Sequence, residues 1–220
     1  IQDYARGVII GQQTFGKGTV QNLYSLDQYV RQAEDEGLGQ LTLTIGKYYR
    51  VTGASTQHRG VNPDIELPST IDAELVGESV RDSALPWDTI RTARFRAGAP
   101  LDTTINSLTT NHLTRSRDDP DYLYLLDDIQ DVAEVRARKS VSLRFEERQK
   151  EREDELNRRL ARENARRTAL GVEPLASVDD LDDLEEPDVH LDQAAAIVTD
   201  LARLREVETT APAHTAQMRE

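Results

Sequence analysis

Thr14-Phe15-Gly16-Lys17-Gly18-Thr19-Val20-Gln21 follows the apolar run Val8-Ile9-Ile10 and opens a second run of strand character. Two glycines flank one lysine, an aromatic precedes it and an amide side chain stands four residues after it. Glycine permits backbone angles and close approaches that a side chain forbids. Gly16-Lys17-Gly18 therefore reads as a lysine aimed by a bend between two strands. Val8-Ile9-Ile10 is β-branched throughout and Gly11 ends it, which predicts a buried strand. From Thr19 to Leu26, Val20, Asn22, Tyr24 and Leu26 share one face and Thr19, Gln21, Leu23 and Ser25 the other.

Working outward, Gln2-Asp3-Tyr4-Ala5-Arg6-Gly7 reads as the last turn of a helix with Gly7 as its stop. Residues 27–38 are polar, contain Glu34-Asp35-Glu36-Gly37 and are expected to form a mobile loop. Gln40-Leu41-Thr42-Leu43-Thr44-Ile45 alternates strictly, the pattern of a half-buried strand, and Tyr48-Tyr49-Arg50-Val51 extends it or pairs with it. A turn at Gly53-Ala54-Ser55 and a second through Arg59-Gly60-Val61-Asn62-Pro63-Asp64-Ile65 lead to a short edge strand ending at Pro68. Residues 1–70 read as half of a sheet.

The character changes after residue 70. Residues 1–70 carry seven acids and six Lys/Arg, residues 71–220 thirty-three and twenty-one, so nearly all of the net charge of -13 lies in the second part. Residues 71–100 form a connector whose single tryptophan, Trp87, pins it to a body. Asp119 before Pro120 is a capped helix start, and Tyr122, Leu125, Leu126, Ile129, Val132 and Val135 recur at helical spacing, predicting a helix over 120–138. Residues 145–170 form a charged helix with Glu146–Lys150, Asp154–Arg158, Glu155–Arg159 and Glu163–Arg167 in favourable i,i+4 order, ended by Gly171 and Pro174. Its apolar residues are too sparse for sustained heptads. A helix over 190–205 precedes a disordered tail at 206–220. The fold class is mixed α/β of the α+β kind: a strand-rich part (1–70), a helical extension (71–205) and the tail.

Composition excludes several functions. An acidic chain repels phosphate backbones, which argues against nucleic-acid binding. No apolar run reaches the roughly 20 residues that cross a bilayer. The absence of cysteine excludes disulfides and thiolate metal sites. Residues 178–192 hold eight acids but lack the loop glycine and alternating ligands of an EF-hand, and read as a solvated acidic turn rather than a calcium site. His58, His112, His190 and His214 share no site-like spacing and read as surface or satisfied residues. The chain begins at Ile1 in mid-pattern, which suggests a piece of a longer protein, so a leader or anchor is not judged from it.

Lys17 admits three readings. Gly11-Gln12-Gln13-Thr14-Phe15-Gly16-Lys17 matches G-x-x-x-x-G-K, the phosphate loop, but Gly18 stands where a magnesium-binding Ser/Thr is needed, and a strand rather than a helix follows. Alternatively Lys17 is a general base, which must be neutral when it acts; apolar surroundings without a carboxylate favour that form. No acid occurs between Asp3 and Asp27, and Gln21 could hold the amine without recharging it, provided the chain bends at Gly16 or Gly18. The third reading is a surface lysine in a glycine turn.

The run from Gln2 to Gly11 leading into Thr14–Gln21 resembles the carboxy-terminal processing, or tail-specific, serine proteases. So do Leu41-Thr42-Leu43-Thr44, Tyr49-Arg50, Gly53-Ala54-Ser55-Thr56-Gln57 and Gly60-Val61-Asn62-Pro63-Asp64-Ile65. Ala84-Leu85-Pro86-Trp87-Asp88, Val141-Ser142-Leu143, Arg148-Gln149-Lys150-Glu151 and Glu186-Pro187-Asp188 resemble the large periplasmic type of Gram-negative bacteria. The resemblance covers about residues 1–205. It implies a Ser-Lys dyad endopeptidase core with a helical C-terminal domain. Lys17 falls on the general base, Gln21 on the glutamine that positions it, and Asp3 on an aspartate of the charge relay. The nucleophilic serine and a peptide-binding PDZ domain would lie before Ile1, so this chain alone is expected to cleave nothing. No cofactor or metal is implied. The resemblance also implies substrates with apolar C-termini, a periplasmic location and a helical-repeat lipoprotein adaptor as partner; the alternative is a non-catalytic module that binds an adaptor.

Overall fold

A computed structural model describes residues 1–29, 37–184 and 187–210. The chain folds into two compact units, one formed by residues 1–66 with 71–100 and the other by 67–70 with 101 onward. Most of the loop expected at 27–38, and Glu185-Glu186, lie outside the described residues.

In the first unit, β1 (Ile10–Gly11) pairs in parallel with the later Ile65–Glu66, Ile10 opposite Ile65. The expected strand at Val8-Ile9-Ile10 is thus shifted and short, and half-buried. Asp64 fastens this pairing: its carboxylate accepts from Ile9 N–H and Gln2 Nε2, both at 2.7 Å, and its own N–H donates to Ile9 C=O at 2.7 Å. The expected helical end at Gln2–Gly7 is a hydrogen-bonded turn instead. Ala5 N–H reaches Gln2 C=O at 2.9 Å, and Ala5 itself lies at φ 49°, a left-handed conformation that stops a right-handed helix before Gly7.

β2 (Thr19–Ser25) and β3 (Gln40–Lys47) form an antiparallel ribbon. Asn22 lies opposite Leu43 and Tyr24 opposite Leu41, as the alternation required, and a bulge between Val20 and Gln21 leaves Ile45 as the extra residue of β3. The expectation of a half-buried β3 is not met: Leu41, Leu43 and Ile45 are all exposed. The alternation is real, but a two-stranded ribbon has no second layer to cover its apolar row. β4 (Ile65–Glu66) is the short strand expected near Pro68. Residues 71–100 are no loose connector. They include α1 (Ala73–Val76), capped by Asp72 through Glu74 N–H at 2.9 Å, and then run along 51–55: Ser55 N–H donates to Asp88 C=O, Ile90 N–H to Gly53 C=O and Ala93 N–H to Val51 C=O. Trp87 pins this strip, donating from Nε1 to Ser55 C=O at 2.9 Å beneath the Arg59 guanidinium, 3.7 Å from the ring centre.

Among the described residues the second unit holds four α-helices, α2 (Asp102–Ser116), α3 (Pro120–Ala137), α4 (Phe145–Ala169) and α5 (Val189–Thr210), and a 3-10 turn at Val178–Leu181. α3 begins as read, with the Asp119 carboxylate accepting from Asp121 and Tyr122 N–H. α4 carries the expected Glu163–Arg167 pair at 3.9 Å, but Glu163 is buried and its closer partner is Arg166 at 3.0 Å. Arg166 also binds Asp121, and Arg162 binds Asp131 and Asp128, so the charged helix is laced to α3. α2 was missed by the sequence reading. It is rich in Thr and Asn, poor helix formers, and starts without a side-chain cap at Leu101; packing makes it helical, with Leu108 fully buried and Arg115 bridging to Asp200 of α5 at 2.7 Å. α5 extends to Thr210, past residue 205, because no glycine or proline interrupts it before Pro212, whose steric demand falls on the preceding residue. Residues 211–220 of the expected tail, and His214, lie outside the described residues. Among the described residues no helix is long and apolar enough to cross a membrane, and no cluster of three or more His, Cys, Asp or Glu could hold a metal ion.

His112 departs from its expected surface or satisfied role. It is 2 % exposed in α2, edge-on to Tyr122 of α3 with ring centres 5.5 Å apart. Burial pushes its imidazole below the ordinary histidine range; contact with Gln193 of α5 opposes this and the Arg115 charge reinforces it. A base so depressed stays neutral in the folded state while the unfolded chain takes up a proton, so its contribution is present above the ordinary range, about pH 6.5, and is lost as the pH falls from there. Thermal melts should therefore show the helical unit losing stability as the pH drops below about 6.5, with the loss flattened by His112→Leu.

Candidate active site

Gly16-Lys17-Gly18 lies in a strip, residues 13–18, that runs against residues 56–61. Gln13 Nε2 donates to Arg59 C=O at 2.8 Å, Thr14 N–H to Val61 C=O at 3.1 Å, and Val61 N–H to Thr14 Oγ1 at 2.8 Å. The approach is too close for side chains. A Cβ on Gly18 would sit 2.6 Å from Gln57 N, and one on Gly16, at φ 88°, 2.8 Å from His58 C and O. The sequence reading of these glycines as a device for close approach is met by this packing, and the left-handed Gly16 supplies the bend.

Every peptide around Lys17 is tied. Phe15 C=O accepts from Glu78 N–H at 2.9 Å, Gly16 C=O from His58 N–H at 2.8 Å, Lys17 C=O from the Tyr48 hydroxyl at 2.6 Å and Gly18 C=O from Tyr48 N–H at 3.1 Å. Gly18 N–H donates to Gln57 Oε1 at 2.7 Å, and Gln57 is 0 % exposed. The Gln57 Nε2 then donates to Glu78 Oε1 at 3.3 Å; Glu78 is 4 % exposed and has Arg81 Nε 3.9 Å from its other oxygen. A buried carboxylate is costly unless paired and hydrogen-bonded; here the amide satisfies Oε1, while Oε2 has only the more distant Arg81 charge and no hydrogen bond.

Lys17 itself is exposed, and its Nζ donates to Thr19 Oγ1 at 3.1 Å. Among the described residues no carboxylate pairs with it, but the burial that the base reading also calls for is not found in these residues. The apolar setting expected from Phe15 and Val20 is only partial, since both rings and methyls are exposed. The Gln21 amide donates to Thr44 Oγ1 at 3.2 Å across the ribbon. Asp3 is engaged by Arg50, which grips both carboxylate oxygens and also donates to Gln2 Oε1 at 2.8 Å. The three candidates are thus placed on one unit, each with a different partner. The chain after Gly18 enters strand β2; no helix N-terminus follows Lys17, so the phosphate-loop reading lacks its cradle.

Sequence reasoning missed Gln57, Tyr48 and Glu78. Gln57 closes Gly53-Ala54-Ser55-Thr56-Gln57, and the place of that run in the family resemblance was the available signal. Glu78 gave none, because its role depends on a fold that returns residue 78 to residue 15.

Two family models match the chain: peptidase family S41 over residues 1–67, and the C-terminal domain of tail specific protease (DUF3340) over residues 71–203. The chain is 41% identical over 204 residues to the tail-specific protease of Haemophilus influenzae, a match covering 91% of this chain and 29% of that protein. It is 36% identical over 80 residues to the carboxy-terminal-processing protease of Bartonella bacilliformis, covering 36% of this chain and 16% of that one. Over 78 residues it is 32% identical to the chloroplastic C-terminal processing peptidase of Tetradesmus obliquus, covering 35% and 15%. The chain therefore spans less than a third of the length of these relatives.

Gly18→Ala should force apart the 13–18 and 56–61 strips. A loss of roughly 1–3 kcal/mol is expected, the usual cost of overpacking a tight interior, read from the denaturant midpoint of the strand unit.

Proposed function

Because the chain belongs to the tail-specific protease family, whose C-terminal domain it carries, we propose that it is the base-bearing part of a serine endopeptidase working by a Ser-Lys dyad. One observation carries this reading: of the two lysines in the stretch matched to a peptidase family, Lys47 pairs with Asp88, whereas Lys17 has no carboxylate partner among the described residues and sits on a turn whose every peptide is tied. A fixed backbone leaves only side-chain torsions to be set, and pre-organisation of this kind is what a general base requires.

In this reading the neutral Lys17 amine takes the proton of a serine hydroxyl, supplied by chain outside these 220 residues, as the oxygen attacks a peptide carbonyl. The resulting ammonium returns that proton to the leaving amine, and water, deprotonated by the same lysine, then releases the acyl group from the serine. The chemistry consumes no nucleotide and needs no metal. Gln21, one strand turn along, steadies the amine when the site is assembled. Asp3 acts at a remove, its carboxylate engaged by Arg50. The chain by itself cleaves nothing. Its substrates are polypeptides with apolar C-termini, met in the periplasm, and the helical unit offers a surface to a helical-repeat lipoprotein adaptor.

The second reading, a non-catalytic interaction module, is favoured by one feature: Val141 and Leu143, just before α4, and Phe145, its first residue, are all exposed. The two readings are compatible within one longer protein, but only the first uses Gly16-Lys17-Gly18.

The test is cleavage of an unstructured polypeptide with an apolar C-terminus by the full-length protein, without added nucleotide or metal. Lys17→Ala should lower kcat by about a hundredfold or more while the protein stays folded. Cleavage that survives the substitution would return Lys17 to the role of a structural turn.

A further inference from the structure

We propose that Gln57 is the positioning residue of this site, an amide that fixes the Lys17 turn from beneath and is kept in register by the buried Glu78 carboxylate. The inference rests on the reading of Lys17 as the general base. Gln57 uses its two ends in opposite senses. Oε1 accepts from Gly18 N–H at 2.7 Å, the peptide that directly follows Lys17, and Nε2 donates to Glu78 Oε1 at 3.3 Å.

The chemistry of the pair demands an amide at one position and a carboxylate at the other. A carboxylate at both would set two negative charges in hydrogen-bond range in a buried site, where one must take a proton or the pair must separate. An apolar residue at 57 would strip a partner from a buried N–H and from a buried carboxylate at once, each costly to leave unmade. Glu78 holds the same strip from a second side, through its N–H to Phe15 C=O at 2.9 Å. The pair thus grips the backbone on both sides of Gly16-Lys17, and displacement of either grip moves the amine. A misplacement of about 1 Å far from the chemistry can cost a hundredfold in rate.

The arrangement predicts a rescue. Gln57→Glu alone places like charges together and should lower kcat by roughly tenfold to a hundredfold with KM little changed, less so at lower pH where one carboxyl of the pair is protonated. The double variant Gln57→Glu/Glu78→Gln exchanges amide and carboxylate: an oxygen at 57 still accepts from Gly18 N–H, and the other accepts from the new amide at 78. It should recover most of the native kcat. The measurements are kcat, KM and their pH dependence for the full-length protein on the same apolar-tailed polypeptide, with circular dichroism to show that each variant is folded and Lys17→Ala run in parallel. If Lys17→Ala is inactive while the single variant keeps native kcat at every pH, or the double variant rescues nothing although it folds, Gln57 is not the positioning residue and the function of Lys17 stands. If Lys17→Ala stays active, the functional reading fails and this inference falls with it. Gln57→Leu adds a neutral comparison: it should lower kcat without the pH dependence of Gln57→Glu.

Discussion

The strand unit depends on one exclusion: between Gly18 and Gln57 there is no room for a β-carbon. Two strips of chain can approach that closely only if one lacks side chains and the other offers hydrogen-bonding groups at the right spacing. Residues 56–61 do so, and they reach that place because Ile65 pairs in parallel with Ile10. Parallel pairing needs a long crossover, and here the crossover is the β2–β3 ribbon with the turns after it. The lysine turn, the ribbon and the second strip are therefore one construction. Moving any of them would empty the contact and leave the buried Gln57 amide without its partner.

Charge is arranged differently in the two units. The excess of acids sits mainly after residue 70, and the helical unit commits a few of these acids to pairs between helices. Asp121, Asp128 and Asp131 of α3 face Arg162 and Arg166 of α4, and Asp200 of α5 faces Arg115 of α2. Pairs of this kind contribute little where water screens them, and more where the guanidinium is largely covered, as Arg162 and Arg166 are. Helix α4 has too few apolar residues to dock by burial alone, so ion pairs set its registry on α3. In the strand unit the equivalent role falls to a few polar side chains: Asp64 for the parallel strands, Arg50 for Asp3, and Gln57 for the lysine turn.

Features whose cause is local were legible in the sequence. The Asp119-Pro120 start of α3, the end of α4 before Gly171 and the alternation of β3 all follow from propensity, capping or period, and each is found. The glycines about Lys17 were legible too, because a close approach leaves glycine as its trace. Features whose cause is distant were not. α2 is helical because Leu108 and His112 are buried, against the preference of its threonines. Glu78 belongs to the lysine turn only after residues 71–100 have folded back along 51–55. The exposed apolar row of β3 shows the converse: the pattern recorded a buried face for which the described residues supply no cover.

The two compact units do not divide where the family descriptions do. The matched segments meet between residues 67 and 71, whereas residues 67–70 fold with the helices and residues 71–100 with the strands. Inheritance and folding thus use different seams. A recombination event that joined the helical domain of one relative to the core of another at residue 70 would carry Glu78 and Trp87 from the donor while Gln57 and Ser55 came from the recipient. Exchange at that seam is tolerable only between chains whose residues 71–100 already fit the foreign core. The seam that preserves every contact of the lysine turn lies thirty residues later, at the Pro100 boundary of the strand unit.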